Sequence, residues 1–182
     1  ITLAGALTGG GALVVTDGNI QAYGILTVGS LTISDATTSI VLAGAITSGA
    51  AINLDSGGSI ALNAAIANAT TVDIDATGVT TIGTNGDINA SGNVTFGAAL
   101  TGTLTTGGNV TTSNDNITFT RAVTLAGGNV ALDTTGASAG NILFSSTVAT
   151  GGNNLTLDAG TAGNITLAGA LTGGGALVVT DG

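Results

Sequence analysis

One apolar pattern recurs along the chain at intervals of about twenty residues, and it constrains the fold more than any other feature. Each unit has an apolar pair at positions 0 and 2, one apolar residue at position 6 and a second pair near positions 12 and 14, followed by an acidic turn. Self-similarity at this period is typical of solenoids, in which each repeat is one supersecondary unit. Units begin at Ile1, Ile20, Ile40, Ile60, Ile117, Ile142 and Ile165.

The spacing inside each unit predicts strands and not helices. Apolar and polar residues alternate within each pair, and Gly, Asn, Asp and Ser separate the pairs, as in short strands joined by turns. The longest segment without glycine runs from Ser59 to Thr77, yet it keeps the spacing of its neighbours. Elsewhere glycine recurs often, and each one disfavours a helix by about 1 kcal/mol relative to alanine. Between Val79 and Asn116 two registers fit, one through Ile82, Ile88 and Val94 and the other through Val94, Leu100 and Leu104.

A single unit is too small to fold alone. Its aliphatic side chains contribute about 1.5–3 kcal/mol each on burial, whereas ordering each of its backbone residues costs about 1–2 kcal/mol. The unit becomes stable only when its strands pair with the equivalent strands of the units above and below. We therefore predict an all-β fold, a parallel β-helix (β-solenoid) with about 20 residues and three short strands per coil.

Equivalent apolar residues of successive coils are expected to stack along the axis as a structural core ladder. Threonine favours extended structure and is expected to face outward, as at Thr2, Thr118, Thr156 and Thr166. The predicted ladder comprises Ile1, Leu7, Ile20, Leu26, Ile40, Ile46, Ile60, Ile66, Ile117, Val123, Ile142, Val148, Ile165 and Leu171.

The first eighteen residues, ITLAGALTGGGALVVTDG, return without substitution as residues 165–182. We interpret residues 1–164 as one tandem repeat and residues 165–182 as the start of the next copy, within one continuous solenoid segment of residues 1–182. Eight coils at about 4.8 Å each predict a repeat about 38 Å long. On this interpretation the chain is part of a longer periodic protein.

Composition argues against several function classes. Ten Asp and one Arg give a net charge of -9, which disfavours nucleic-acid binding, because that depends on Lys and Arg at phosphates. No apolar run approaches the roughly 18 residues of a transmembrane helix, and we expect no membrane insertion. The absence of cysteine excludes a disulfide framework and cysteine-ligated metal.

Catalytic residue types are scarce. The chain has no His, Lys, Cys or Glu, and its single tyrosine and single arginine are Tyr23 and Arg121. General acid–base catalysis and charge stabilisation depend on such groups. The glycine runs at residues 9–11 and 173–175 lack the Lys and Ser/Thr of a phosphate loop. We expect no enzyme and no cofactor, and we expect Arg121 at most to pair with a nearby Asp.

Aspartate recurs at the end of the units and raises the question of calcium. Stacked carboxylates at a corner could share a hard cation. The alternative, which we favour, is that each Asp accepts backbone hydrogen bonds in its turn and keeps the surface soluble. Asp55, Asp75, Asp133 and Asp158 directly follow a strand pair, and Asp17 and Asp35 come one residue later.

Asparagine and threonine allow two further interpretations. Several asparagines begin N-x-T sequences, which are formal glycosylation acceptors, but a ladder of stacked asparagines at a corner explains the same letters and is favoured. Flat threonine arrays can bind ice or carbohydrate, yet no Thr-x-Thr pair recurs at one phase in every coil. The asparagines before a first strand are Asn19, Asn93, Asn116, Asn141 and Asn164.

The recurring openings GN-[IV]-T-[LF] and closings [LV]-x-[LI]-D, in a background of Gly, Ala, Thr and Asn, resemble filamentous haemagglutinin-type repeats. These belong to large bacterial exoproteins, the β-strand-repeat adhesins. The resemblance covers essentially the whole chain. It implies a right-handed parallel β-helix that is secreted, often attached to the cell surface, and active in adhesion, biofilm or cell contact. The family's secretion domain and receptor-binding module are not recognisable in this sequence.

Two functions are therefore expected. The first is the structural shaft of a secreted surface fibre or adhesin, extended by end-to-end self-association or by continuation in a longer chain. Its partners would be a host-cell or neighbouring-cell surface, and its location would be extracellular, at the bacterial cell surface. The alternative is a solenoid binding module, one flank of which binds glycan, calcium or ice.

Overall fold

The fold is a β-solenoid in which the chain winds through three parallel sheets, A, B and C, always in that order. The computed structural model describes residues 1–35, 39–97, 102–136 and 140–181, and this part contains strands, turns and connections but no helix. Each strand between the two end coils pairs in parallel with the strand three places before it and the strand three places after it. The predicted all-β parallel solenoid with three short strands per coil is confirmed.

The strands are two to six residues long and are numbered in chain order. Sheet A contains β1 (Thr2–Leu3), β4 (Ile20–Ala22), β7 (Ile40–Leu42), β10 (Ile60–Leu62), β13 (Thr80–Ile82), β16 (Leu104–Thr106), β19 (Val123–Leu125), β22 (Val148–Ala149) and β25 (Leu171–Thr172). Sheet B contains β2 (Leu7–Thr8), β5 (Leu26–Val28), β8 (Ile46–Ser48), β11 (Ile66–Ala69), β14 (Ile88–Ala90), β17 (Val110–Thr111), β20 (Val130–Asp133), β23 (Leu155–Asp158) and β26 (Leu177–Asp181). Sheet C contains β3 (Ala12–Val15), β6 (Ser30–Asp35), β9 (Ile52–Ser56), β12 (Val72–Ala76), β15 (Val94–Phe96), β18 (Ile117–Phe119), β21 (Ile142–Phe144) and β24 (Ile165–Leu167).

Alternation of side chains places the apolar residues of all three sheets in one central core. In β9, for example, Ile52, Leu54 and Ser56 are buried, whereas Asn53 and Asp55 are exposed. Because the strands stack without a shift in register over most of the chain, buried positions lie on buried positions from coil to coil. The outward positions predicted for threonine agree, since Thr2 and Thr166 are exposed and Thr118 and Thr156 are half-buried.

The largest fully buried side chains in the described part are three phenylalanines, which stack on one another in the core. Phe96, Phe119 and Phe144 occupy the same position in successive strands of sheet C and are each at most 2% exposed. Neighbouring rings are parallel to within 4°, with centroids 4.6 Å apart. This distance is close to the spacing of paired strands, so the register of the sheet itself sets the stacking.

The units that begin at Ile60 and at Ile117 start on different faces of the solenoid. Ile20, Ile40 and Ile60 stack in sheet A, whereas Ile117, Ile142 and Ile165 stack in sheet C. The prediction that all seven units share one frame is therefore wrong. The physical reason is that every face requires the same in–out alternation, so the pattern does not distinguish the faces.

Two registers fit the sequence between Val79 and Asn116, and the structure has the one through Ile82, Ile88 and Val94. These residues lie in sheets A, B and C, respectively. In the other register, Leu100 is outside the described residues, and Leu104 lies in sheet A, where it pairs with Thr80. Because the coil from β13 to β16 is longer than those before it, the frame of the later units moves by one face.

Burial divides the predicted ladder between the middle and the two ends of the solenoid. Ile165 is half-buried, and Ile1, Leu7 and Leu171 are 60%, 37% and 37% exposed, because each belongs to an end coil with a described neighbour on one side only. The buried members are Ile20, Leu26, Ile40, Ile46, Ile60, Ile66, Ile117, Val123, Ile142 and Val148.

Candidate functional site

In the described part of the chain, an ion pair lies at the corner between sheets C and A. Arg121 lies two residues before the sheet A strand β19 and is only 6% exposed. Its Nη2 lies 3.6 Å from Oδ1 of Asp75, which is in the sheet C strand β12 and 26% exposed. Its Nη1 donates a 3.5 Å hydrogen bond to Oγ1 of Thr80. The expected pairing of Arg121 with an Asp is present and ties together three coils.

The chain makes room for this ion pair with a glycine. Gly97 follows β15 and lies beside Asp75, where an added Cβ would overlap the carboxylate. Among the described residues, Nε and Nη2 of Arg121 have no hydrogen-bond partner. Burial lowers the pKa of Arg121, and the Asp75 charge partly opposes that shift. The arrangement neutralises a buried cation.

The aspartates of sheet C lie within strands and not at a corner, which corrects the prediction for Asp55 and Asp75. The two residues are directly opposite each other in β9 and β12, and Asp73 lies two positions before Asp75. The pKa of Asp73 is raised first by burial and then by the charges of Asp75 and Asp55. Like charges that face each other across strands repel, so this cluster opposes folding except where Arg121 neutralises Asp75.

The aspartates of sheet B end their strands and act as turn acceptors. Asp133 Oδ1 accepts hydrogen bonds from the backbone N and the hydroxyl of Thr135, at 2.7 and 2.5 Å. Asp158 Oδ1 accepts from the backbone N of Gly160 at 3.0 Å. These are the turn contacts that we favoured over calcium. Across the described ranges, no group of three His, Cys, Asp or Glu side chains is placed to hold a metal ion.

The corner before sheet C carries an asparagine ladder, as predicted. Asn116 donates its backbone N–H to Oδ1 of Asn93 at 2.9 Å, and Asn141 donates to Oδ1 of Asn116 at 2.8 Å. Asn164 continues the ladder with a 2.9 Å bond to Oδ1 of Asn141. The side-chain amides of Asn141 and Asn164 also donate down the ladder, each at 3.1 Å. Asn19 lies before sheet A and instead accepts from the hydroxyl of Ser39.

A second ladder at the corner before sheet B was not recognised in the sequence. Asn109 donates its backbone N–H to Oδ1 of Asp87 at 2.7 Å, and Asn154 donates to Oδ1 of Asn129 at 2.8 Å. Oδ1 of Asn154 then accepts from the backbone N–H of Ala176 at 3.0 Å. The signal was available, since each of these residues directly or closely precedes a sheet B strand.

The two end coils present unpaired strands. In the described structure, β1, β2 and β3 have partners on one side only, as do β24, β25 and β26. The exposed apolar residues there include Leu7, Leu171 and Leu177, at 37%, 37% and 41% exposure. An apolar hollow at the first coil is lined by Leu7, Leu13 and Val28 among others. Such strand edges are templates for pairing with another strand.

The described part contains no helix long and apolar enough to cross a membrane. The chain matches no protein-family model, no curated protein and no solved structure. The two ends, with their open edges, are thus the surfaces whose geometry most clearly suggests a role.

Proposed function

We propose that this chain is a segment of the structural shaft of a secreted bacterial surface fibre or adhesin, built from tandem 164-residue copies. The observation that carries the proposal is the uninterrupted stacking of all three sheets from the first coil to the last, with the same eighteen-residue sequence at both ends. The shaft provides length and stiffness, and adhesion to a host or neighbouring cell takes place elsewhere on the fibre.

Three properties support a mechanical role. Each coil contacts its neighbours along the axis, so further coils add length without changing the core. The buried apolar core and the asparagine ladders run along the axis of the solenoid and bind successive coils to one another. The resemblance to haemagglutinin-type repeats adds the expectation of secretion and cell-surface attachment.

The length of multi-copy chains tests the shaft. One, two and four copies of residues 1–164, each ending in residues 165–182, are imaged by electron microscopy or atomic force microscopy. Each added copy should lengthen the rod by about 37 Å, given a spacing of about 4.8 Å per coil. Separate compact units joined by thin linkers, with no constant increase in length per copy, would contradict a continuous shaft.

The proposed location and adhesion are tested in the cells that produce the protein. Antibodies against residues 1–182 should label fibres on intact cells, and cells that lack the gene should lose both the fibres and their adhesion. Labelling only after lysis would contradict the proposal.

In parallel, EDTA should not change the melting temperature of the multi-copy rod, and the rod alone should be inactive in glycan-array and ice-recrystallisation assays. A positive result there would favour the binding module.

A further inference from the structure

The two copies of the eighteen-residue sequence occupy different faces of the solenoid. Residues 2–3 form the sheet A strand β1, whereas the identical residues 166–167 belong to β24 of sheet C. In the same way, β2 of sheet B corresponds to β25 of sheet A, and β3 of sheet C corresponds to β26 of sheet B. Leu3 and its counterpart Leu167 both pack against the core, from sheet A and sheet C, respectively.

The displacement follows from the number of strands in one copy. β24 comes twenty-three strands after β1 in the described chain, and each coil has three strands. Twenty-three strands make seven complete coils and two further strands. One 164-residue copy thus stops one strand short of a whole number of turns.

The structure also contains both interfaces of a junction between copies. On one side, the end coil sits on the preceding coil, where Leu143 pairs with Thr166 and Phe144 with Leu167. On the other side, the identical first coil supports the following coil, where Thr2 pairs with Gln21 and Leu3 with Ala22. Since Thr166 corresponds to Thr2 and Leu167 to Leu3, the two halves join at one coil without a shift of register.

The other two faces also join in register, except that the pairing of β23 with β26 shifts after Leu157, where Asp158 lies opposite Asp181. Ala149 pairs with Thr172, whose counterpart Thr8 pairs with Thr27. Leu157 pairs with Val179, whose counterpart Val15 pairs with Ile33. At these paired positions, inward-facing residues continue onto inward-facing residues and outward-facing residues onto outward-facing ones. None of these pairs requires the in–out reversal that a one-residue slip would impose.

From this we infer, on the basis of the proposed tandem shaft, that each copy is turned by one face relative to the copy before it. Sheet C of one copy continues as sheet A of the next, sheet A continues as sheet B, and sheet B continues as sheet C. The partner of each open end is a second copy of the same sequence in this one orientation. Every surface group then returns to the same face after three copies, or twenty-three coils, about 110 Å along the axis.

The consequence is display on all sides. The exposed Tyr23 and Ile25 lie at the corner between sheets A and B, at 53% and 54% exposure. In the next copy the same pair lies at the corner between the first copy's sheets C and A, and in the third copy at the remaining corner. A partner that recognises one such group therefore finds a copy of it at each of the three corners of the shaft.

A two-copy chain tests the orientation. It consists of residues 1–164 followed directly by residues 1–182, and because the natural chain has no cysteine, two introduced thiols are the only labelling sites. Gln21→Cys in the second copy is combined with one of three outward positions in the first copy. These are Leu143→Cys on sheet C, Ala149→Cys on sheet A and Thr156→Cys on sheet B. Both thiols carry pyrene, which forms an excimer when two labels on one face lie within about two strand spacings of each other.

The pair with Leu143→Cys should give strong excimer emission, because two strand spacings, about 10 Å, separate it from Gln21→Cys. The pairs with Ala149→Cys and Thr156→Cys should give none. Excimer emission from the Ala149→Cys pair instead would overturn the inference and leave the shaft intact, as would a full-length rod without excimer from any pair. Failure of the unlabelled two-copy chain to lengthen by about 37 Å would overturn the shaft and the inference together. Singly labelled chains control for contacts between molecules.

Discussion

At the scale of the residue, charge distinguishes this solenoid from a purely apolar stack. Arg121 is the most deeply buried charged residue in the described part of the chain, and its counterion Asp75 comes from a strand two coils away in sheet C. Removing one member of a buried pair leaves the other charge uncompensated. The two members differ here, because the Asp75 side chain is 26% exposed and can be hydrated.

We therefore expect Asp75→Asn to be more destabilising than Arg121→Met. The first change leaves a buried cation and should cost about 1–3 kcal/mol, below the usual range for a fully buried pair because water screens this one. The double variant should recover most of the loss. Urea unfolding of the four proteins measures these differences, and no loss in Asp75→Asn would mean that Arg121 acts by packing alone.

Asp73 makes stability depend on pH in the opposite sense to an ordinary paired carboxylate. Its pKa in the folded state is raised, first by burial and then by Asp75 and Asp55, so the folded state holds the proton to higher pH than the unfolded chain. Its contribution to the free energy of unfolding is then greatest below the unfolded pKa of about 3.9 and is lost as the pH rises through the folded pKa.

Asp73→Asn should accordingly raise the melting temperature at pH 7, and the gain should shrink as the pH falls below about 4. Thermal unfolding followed by circular dichroism across this range is the measurement. Asp17→Asn, which makes the same change of charge at an exposed corner, serves as the control. A gain that is equal at both pH values would contradict the electrostatic origin.

At the scale of the element, close stacking at the corners limits which residues the chain accepts. Gly5, Gly24 and Gly44 lie above one another at the corner between sheets A and B, where a Cβ on Gly24 or Gly44 would overlap the backbone of the preceding coil. In contrast, a Cβ on Gly49 would meet nothing within 4 Å. One coil therefore contains a glycine that the fold requires and a glycine that it does not.

Gly44→Ala should lower the stability by about 1–3 kcal/mol, because the coils must move apart to admit the methyl group. Gly49→Ala should be neutral or should raise stability by up to about 1 kcal/mol, since alanine restricts the unfolded chain. Denaturant unfolding of both variants provides the comparison. Similar behaviour of the two would show that the corner relaxes without cost.

The sequence predicted the elements well because the apolar alternation states directly which residues face the core. It predicted the strands around Ile20, Ile40 and Ile60, and the ladder of Asn116 and Asn141, for the same reason: identical residue types recur one coil apart. It did not predict which sheet contains Ile117, since all three sheets require the same alternation of inward and outward residues. The sequence predicted that Arg121 pairs with an aspartate but did not identify Asp75, because the two residues lie two coils apart.

At the scale of the whole molecule, stability should be greatest in the middle and lowest at the ends. Strand β9 has partners on both sides, whereas β2 and β25 are two residues long, exposed and paired on one side in the described structure. Local opening is easiest where few contacts must break.

We expect amide hydrogen exchange to be slowest in β9 and β12 and fastest in the first and last coils. In the two-copy chain, the strands formed by residues 165–181 of the first junction should become as protected as those of a central coil. Exchange followed by mass spectrometry measures both. Rapid exchange at the junction of a folded two-copy chain would contradict continuous stacking.

The regular pairing of each strand with the strand one coil away also bears on how such a chain folds. The paired residues are separated by about one coil throughout, as for Ile40 with Ile60 or Ile142 with Ile165, and further copies leave that separation unchanged. Folding slows when contacts join distant parts of a chain, so a much longer chain meets the same loop-closure cost at every step. It grows by laying each new coil on an edge that has already formed, beginning wherever the first stable coils arise.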